Sequence, residues 1–186
     1  MRGSVLRPER LWLLSIAFQQ RGHRRLAVFV KNLNSFLYRN SLPPGATVSP
    51  DIALGHHSFG TVIHTNVVIG ERVKIWHNVT IAMRAGSKSP YRIVIEDDVQ
   101  IGANAVVISP HRGDLRIGRG ARIGAGAVVS SDVPAGYTVV SAPVQMIPPG
   151  EGGEEGDDVA AARGEGTAEP NGDGASTPTG DAAQLR

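Results

Sequence analysis

The 186-residue chain contains no cysteine, which excludes disulfides, thiolate metal ligands and cysteine nucleophiles. Aromatic residues are only 5% of it, too few for a platform that stacks nucleic-acid bases. No apolar run near the start approaches the ~20 residues that cross a bilayer. The longest, Leu11 to Phe18, is broken by Ser15 and followed by Gln19, Gln20 and Arg21, so it reads neither as a span nor as a secretory leader. Acids are nearly missing from residues 1–40, where Glu9 stands alone against eight Lys or Arg. Bases are scarce in residues 151–186, where two face nine acids and Val159 and Leu185 are the only large aliphatics. Such a segment cannot bury enough apolar surface to offset the entropy of ordering it, and it reads as a disordered acidic tail. The net charge of +2 therefore hides a +7 end and a −7 end that cancel, and it is not the footprint of a nucleic-acid partner. A cytoplasmic compartment is expected, without metal or nucleic acid.

Between those ends the chain is periodic. Ile63, Ile69, Ile75 and Ile81 stand six apart, with Val67, Val73 and Val79 four places after the first three. The phase returns in Ile95, Ile101 and Val107, with Val99 and Ala105, and again in Ile117, Ile123 and Val129, with Ala121, Ala127 and Val133. A period of six is neither helical nor alternating. It suits a triangular coil of short parallel strands, each sending one aliphatic inward. Gly70, Gly102, Gly118 and Gly124 directly follow inward aliphatics, where a missing Cβ relieves crowding. Asn78, Asn104, Gly120 and Gly126 lie three places after, where positive φ is expected. A β-sandwich would space its turns by ~8 to 12 residues instead. The predicted fold is an all-β solenoid, a left-handed parallel β-helix over residues 41–150. Ahead of it, residues 1–40 read as a short basic helical segment. Leu26, Phe29, Val30, Leu33 and Leu37 have helical spacing there, and their face is expected to pack on the first coil rather than touch a membrane.

A regular coil needs no insertions for stability, so function is sought where the repeat breaks. The phase slips across Gly55-His56-His57-Ser58-Phe59-Gly60, which carries a histidine pair. Met83 to Arg92 is a polar excursion with two arginines, a lysine and a tyrosine. The third break is Ser109 to Asp114. His64 and His77 are read as exposed or intersubunit residues, and the spacing of His57, His64 and His77 lacks the arrangement of a zinc site.

The stretch from His57 to Gly70 resembles the motif H-x-x-G-x-V-I-x-x-x-x-V-I-G of serine O-acetyltransferases in the hexapeptide-repeat acyltransferase superfamily. The resemblance continues through Ile101-Gly-Ala, Ile123-Gly-Ala-Gly-Ala-Val-Val and Asp132-Val-Pro-Ala-Gly, and covers about residues 42 to 147. It implies an acetyl-CoA-dependent O-acetyltransferase, with a histidine as general base on an acceptor hydroxyl that attacks the thioester directly. His57 takes the base's place when aligned from downstream, and His56 when aligned from Pro44 and Leu54; His57 is preferred. The resemblance also implies acetyl-CoA contacts at Met83, Ala103 and Ala125, on successive coils along one edge, with Arg84, Lys88, Arg119 and Arg122 as candidates for its phosphates. It further implies a homotrimer with sites between subunits. Two positions depart from the pattern: Ser41 stands where the family's D-I-H-P has its aspartate, and Ser89 where R-H-P-K-I has its histidine. The alternatives are a sugar or exopolysaccharide O-acetyltransferase, or a catalytically silent trimeric scaffold.

Overall fold

A computed structural model describes residues 7–86 and 88–142. The expected disordered tail lies outside the described residues. Among the described residues two helices come first, α1 (Pro8–Gln20) and α2 (Arg24–Tyr38). Pro8 suits the first turn of α1, where its missing N–H has no helical partner to lose. Gly22, with φ +82°, makes the turn between the helices, and Arg39, left-handed at φ 52°, ends α2.

Thirteen short strands follow among the described residues: β1 (Thr47–Val48), β2 (Ala53–Leu54), β3 (Val62–Ile63), β4 (Val67–Ile69), β5 (Lys74–Ile75), β6 (Thr80–Ala82), β7 (Ile93–Ile95), β8 (Gln100–Ile101), β9 (Val106–Ile108), β10 (Leu115–Ile117), β11 (Arg122–Ile123), β12 (Val128–Val129) and β13 (Thr138–Val139). Every third strand up to β12 pairs in parallel, and β13 adds to β11, giving sheets of order β1-β4-β7-β10, β13-β11-β8-β5-β2 and β12-β9-β6-β3. The result is a parallel β-solenoid of about four turns with three faces. The register stacks the six-residue period upon itself: Ile75 lies over Ile101 and Ile101 over Ile123, all buried. Each such aliphatic contributes roughly 1.5–3 kcal/mol by leaving water.

The left-handed residues fall where the repeat places them. Asn78, Asn104, Gly120 and Gly126 have φ of 54°, 60°, 68° and 69°. Arg72 (φ 55°) and Asp98 (φ 63°) occupy the same corner position without being Asn or Gly. They stack on adjacent coils, where the Arg72 guanidinium donates to both Asp98 oxygens at 2.7 and 2.9 Å. That paired geometry links the two strained corners, with a modest energy because both groups lie in water.

The helical face expected to close the solenoid is not the one that does. Trp12 and Ile16 of α1 join the core cluster with Leu42, and the Trp12 indole donates to the Pro43 carbonyl at 2.9 Å. α2 buries Ala27, Val30 and Asn34, while Leu26, Phe29 and Leu37 are exposed. With two helices stacked as a hairpin, α1 takes the place against the coil and α2 packs on α1. No helix among the described residues is long and apolar enough to cross a membrane.

Candidate active site

The three edges of the prism differ in chemistry. The corners after β4, β7 and β10 carry Glu71, Arg72, Glu96, Asp97, Asp98 and Arg119, a ladder of ion pairs. A second edge, after β3, β6 and β9, holds His64, the Met83–Arg92 excursion and the Ser109–Asp114 break. The third edge, after β2, β5, β8 and β11, stacks Gly55–Gly60 over Trp76-His77-Asn78, then Gly102-Ala103-Asn104, then Gly124-Ala125-Gly126. Backbone bonds tie these rungs together: Asn78 N–H to the Phe59 carbonyl (2.8 Å), Asn104 N–H to His77 (3.2 Å) and Gly126 N–H to Ala103 (2.9 Å).

The histidine pair sits at the top of this third edge on a strained turn. His56, His57 and Ser58 are consecutive left-handed residues, with φ of 47°, 57° and 52°. A run of three such residues, none of them glycine, costs on the order of 1 kcal/mol or more each. Strain of this kind persists only where surrounding contacts over-determine it. Here Ser58 is buried and its hydroxyl accepts from Asn40 Nδ2 at 2.9 Å, which anchors the turn to the end of α2.

Both histidine rings have aromatic neighbours. Tyr38 stacks on His57 with centroids 5.7 Å apart and planes within 7°. His77 meets His56 edge-on at 4.8 Å, and its Nδ1 is buried without a hydrogen-bond partner. The pair lines a recess of about 520 Å³ together with Arg7, Glu9, Ile52, Ala53 and Leu54. Glu9, the lone acid of the basic end, thus brings a carboxylate to the recess from the first turn of α1. Sequence reasoning missed Glu9 and Tyr38. The one available signal was that Glu9 stands alone among bases.

Ala125 and Arg122 line a second cleft of about 220 Å³ with Trp76, Gln100, Gly102, Gly124 and Thr138. Ala103 lies one coil above Ala125 on the same edge. Met83 does not share that edge. It follows β6 and lies on the second one, because the inward phase carries the chain round a further corner before the excursion begins. Arg119 is likewise elsewhere, its guanidinium held by Asp97 at 3.0 Å in the ion-pair ladder. Arg84 and Lys88 are exposed in the excursion.

The two departures are also placed. Ser41 makes a parallel bridge with Val62, its N–H bonded to the Thr61 carbonyl at 2.8 Å. Ser89 serves the excursion: its hydroxyl accepts from Tyr91 N–H (3.2 Å) and its carbonyl from Asn66 Nδ2 (2.9 Å). His64 is half-buried and its Nδ1 accepts from Asn66 N–H at 3.1 Å, a structural use that fixes its tautomer. Among the described residues no group of three or more His, Asp or Glu side chains could hold a metal ion.

No protein-family model matches the chain. Serine acetyltransferase of Mycobacterium tuberculosis is 36% identical over 131 residues, 69% of this chain and 54% of that protein. The chain spans about half the length of the curated relatives it matches. Among solved structures, Neisseria gonorrhoeae serine acetyltransferase in complex with serine superposes with a TM-score of 0.63 at 34% identity, over 75% of this chain and 55% of that one. Serine acetyltransferase from Brucella abortus in complex with coenzyme A gives a TM-score of 0.63 at 27% identity, over 74% and 53%. In sequence and in fold, the chain is a serine O-acetyltransferase-like member of the hexapeptide-repeat acyltransferases.

Proposed function

We propose that the protein is an acetyl-CoA-dependent O-acetyltransferase whose acceptor is the hydroxyl of serine, with His57 as general base. The observation that carries this reading is the third edge itself. A histidine held on a strained turn stands at the head of a column of small residues, Gly102, Ala103, Gly124 and Ala125, beside a cleft bearing Arg122. Small corners leave room for a pantetheine arm, and a cation at the cleft suits its phosphates. The relatives bound to serine and to coenzyme A support the same pair of substrates. In this scheme an imidazole nitrogen of His57 takes the acceptor's hydroxyl proton as the oxygen attacks the thioester carbonyl. The resulting tetrahedral oxyanion collapses, the C–S bond breaks, and the thiolate recovers the proton from the imidazolium. The products are the O-acetyl ester and the free thiol of coenzyme A.

The active unit in this proposal is a homotrimer. An outward column on the third sheet supports it: Val62, Thr80, Val106 and Val128 are in register, and Val62 and Val128 are 44% and 66% exposed. The outward residues of the second sheet, Ala53, Lys74, Gln100, Arg122 and Thr138, are polar by contrast in four places of five.

A second reading, a sugar O-acetyltransferase, draws on Ser41 and Ser89, which replace two polar groups of the serine acetyltransferase pattern. Thiol release from acetyl-CoA with L-serine and with a panel of monosaccharides separates the two. The proposal expects release that depends on L-serine and saturates. Release with sugars alone would move the acceptor to the second reading, and no release with any acceptor, together with no coenzyme A binding, would leave a silent scaffold.

A further inference from the structure

The recess contains a base without the contact that ordinarily orients one. Among the described residues no hydrogen bond holds either ring nitrogen of His57, and Ser41 stands where the family pattern carries an acid. An exposed imidazole with two free torsions spends most of its time in unproductive orientations, and a misplacement of about 1 Å can cost roughly 100-fold in rate. Among the described residues, the aromatic contact to that ring comes from the end of the helical hairpin.

Resting on the assignment of His57 as base, we propose that Tyr38 is its positioning residue, fixing the plane of the imidazole by face-to-face stacking. Three observations bear on this. The rings lie 5.7 Å apart and within 7° of parallel, which leaves the edge of the imidazole, with its nitrogens, free to face the recess. Tyr38 is the last residue of α2, so its backbone is held by the helix rather than by a loop. The two partners are also locked at their bases: Arg39 turns the chain in left-handed geometry and buried Asn40 then bonds both Asn34 (3.4 Å) and Ser58 (2.9 Å), the residue next to His57. The helix end and the strained turn are thus one unit. A carboxylate fixes a base by accepting its N–H and selecting a tautomer; a stacked ring fixes the plane and leaves the tautomer to the substrate.

The experiment compares the full chain with Tyr38→Phe and Tyr38→Leu, reading kcat and KM for acetyl-CoA with L-serine, thermal unfolding, and the His57 ring protons by NMR after histidine labelling. Tyr38→Phe keeps the stack, and its kcat is expected within about twofold of the parent. Tyr38→Leu should lose on the order of 10- to 100-fold in kcat while KM for acetyl-CoA stays within about twofold. Its His57 ring protons should move downfield as the ring current over them is removed, with Tyr38→Phe unmoved. If Tyr38→Leu fails to fold, Tyr38→Met, flexible and of similar bulk, replaces it. An unchanged kcat without the aromatic ring overturns the proposal, as does an equal loss in Tyr38→Phe. Should the parent show no turnover, the functional reading fails separately; the NMR comparison still decides the stacking, and ring protons that do not move in Tyr38→Leu overturn it.

Discussion

Gly102 and Gly120 hold corners of the coil for different reasons. A Cβ on Gly102 would stand 2.6 Å from the Ala125 nitrogen on the next coil, and backbone cannot swing aside as a side-chain tip can. Gly120 has nothing within 4 Å of that position, but its φ is +68°. Gly102→Ala should therefore destabilise by about 1–3 kcal/mol through overpacking between rungs. Gly120→Ala should cost about 1 kcal/mol through backbone strain alone, and Gly120→Asn less than that. Urea unfolding checks both, and equal effects at the two sites would contradict the distinction. Both glycines were legible in the sequence because the six-residue phase says which corner slot each fills. The backbone at His56, His57 and Ser58 was not legible: Ser58 is anchored by Asn40, just past the end of α2, and periodicity carries no information about such a contact.

At the scale of elements, the charged edge shows how corners of successive coils are held. Asp51 is pulled below its ordinary pKa by the Ser49 hydroxyl and then by the backbone N–H of Arg72. Glu96 is pulled down by the backbone N–H of Arg119 and then by the Arg116 side chain, and Asp98 by the Arg72 guanidinium. Arg72 is raised in turn, chiefly by Asp98. A carboxylate whose folded pKa is depressed stabilises the fold above its unfolded pKa of roughly 4 and loses that contribution as pH falls through the folded value. The urea midpoint should accordingly fall below about pH 4, and the variant Asp51→Asn, Glu96→Gln, Asp98→Asn should show a shallower fall. Because these groups lie in water, high salt should shrink the difference. A triple variant as acid-sensitive as the parent would contradict this account. The helices teach a related lesson. The helical spacing in α2 was real, but spacing alone cannot say whether an apolar face meets the coil, a neighbouring helix or solvent. Trp12 settles the matter by filling the end of the prism from α1.

For the whole molecule, the solenoid was legible because each strand contributes its inward residue at a fixed phase, and the core is little more than that list stacked in register. The candidate site was legible only in part. Of the residues named from the sequence, His57, Ala103 and Ala125 share an edge and Met83 lies round a corner, while Glu9 and Tyr38, beside the histidines, come from helices that the coil's periodicity does not reach. Assembly follows from the faces. In the proposed trimer the Val62–Val106–Val128 column is covered, so Val128→Glu should shift the mass measured by light scattering from three chains toward one. Activity should fall with it if sites lie between subunits. A Val128→Glu protein that stays trimeric would place the interface on another face.

The central claim, that this fold carries acetyl transfer through His57, is tested most directly by thiol release from acetyl-CoA with L-serine, comparing the parent with His57→Ala and His56→Ala. The account predicts a loss of roughly 100- to 10,000-fold in His57→Ala and less than about tenfold in His56→Ala. A His57→Ala protein that turns over like the parent, or a full loss that falls on His56→Ala instead, would contradict it.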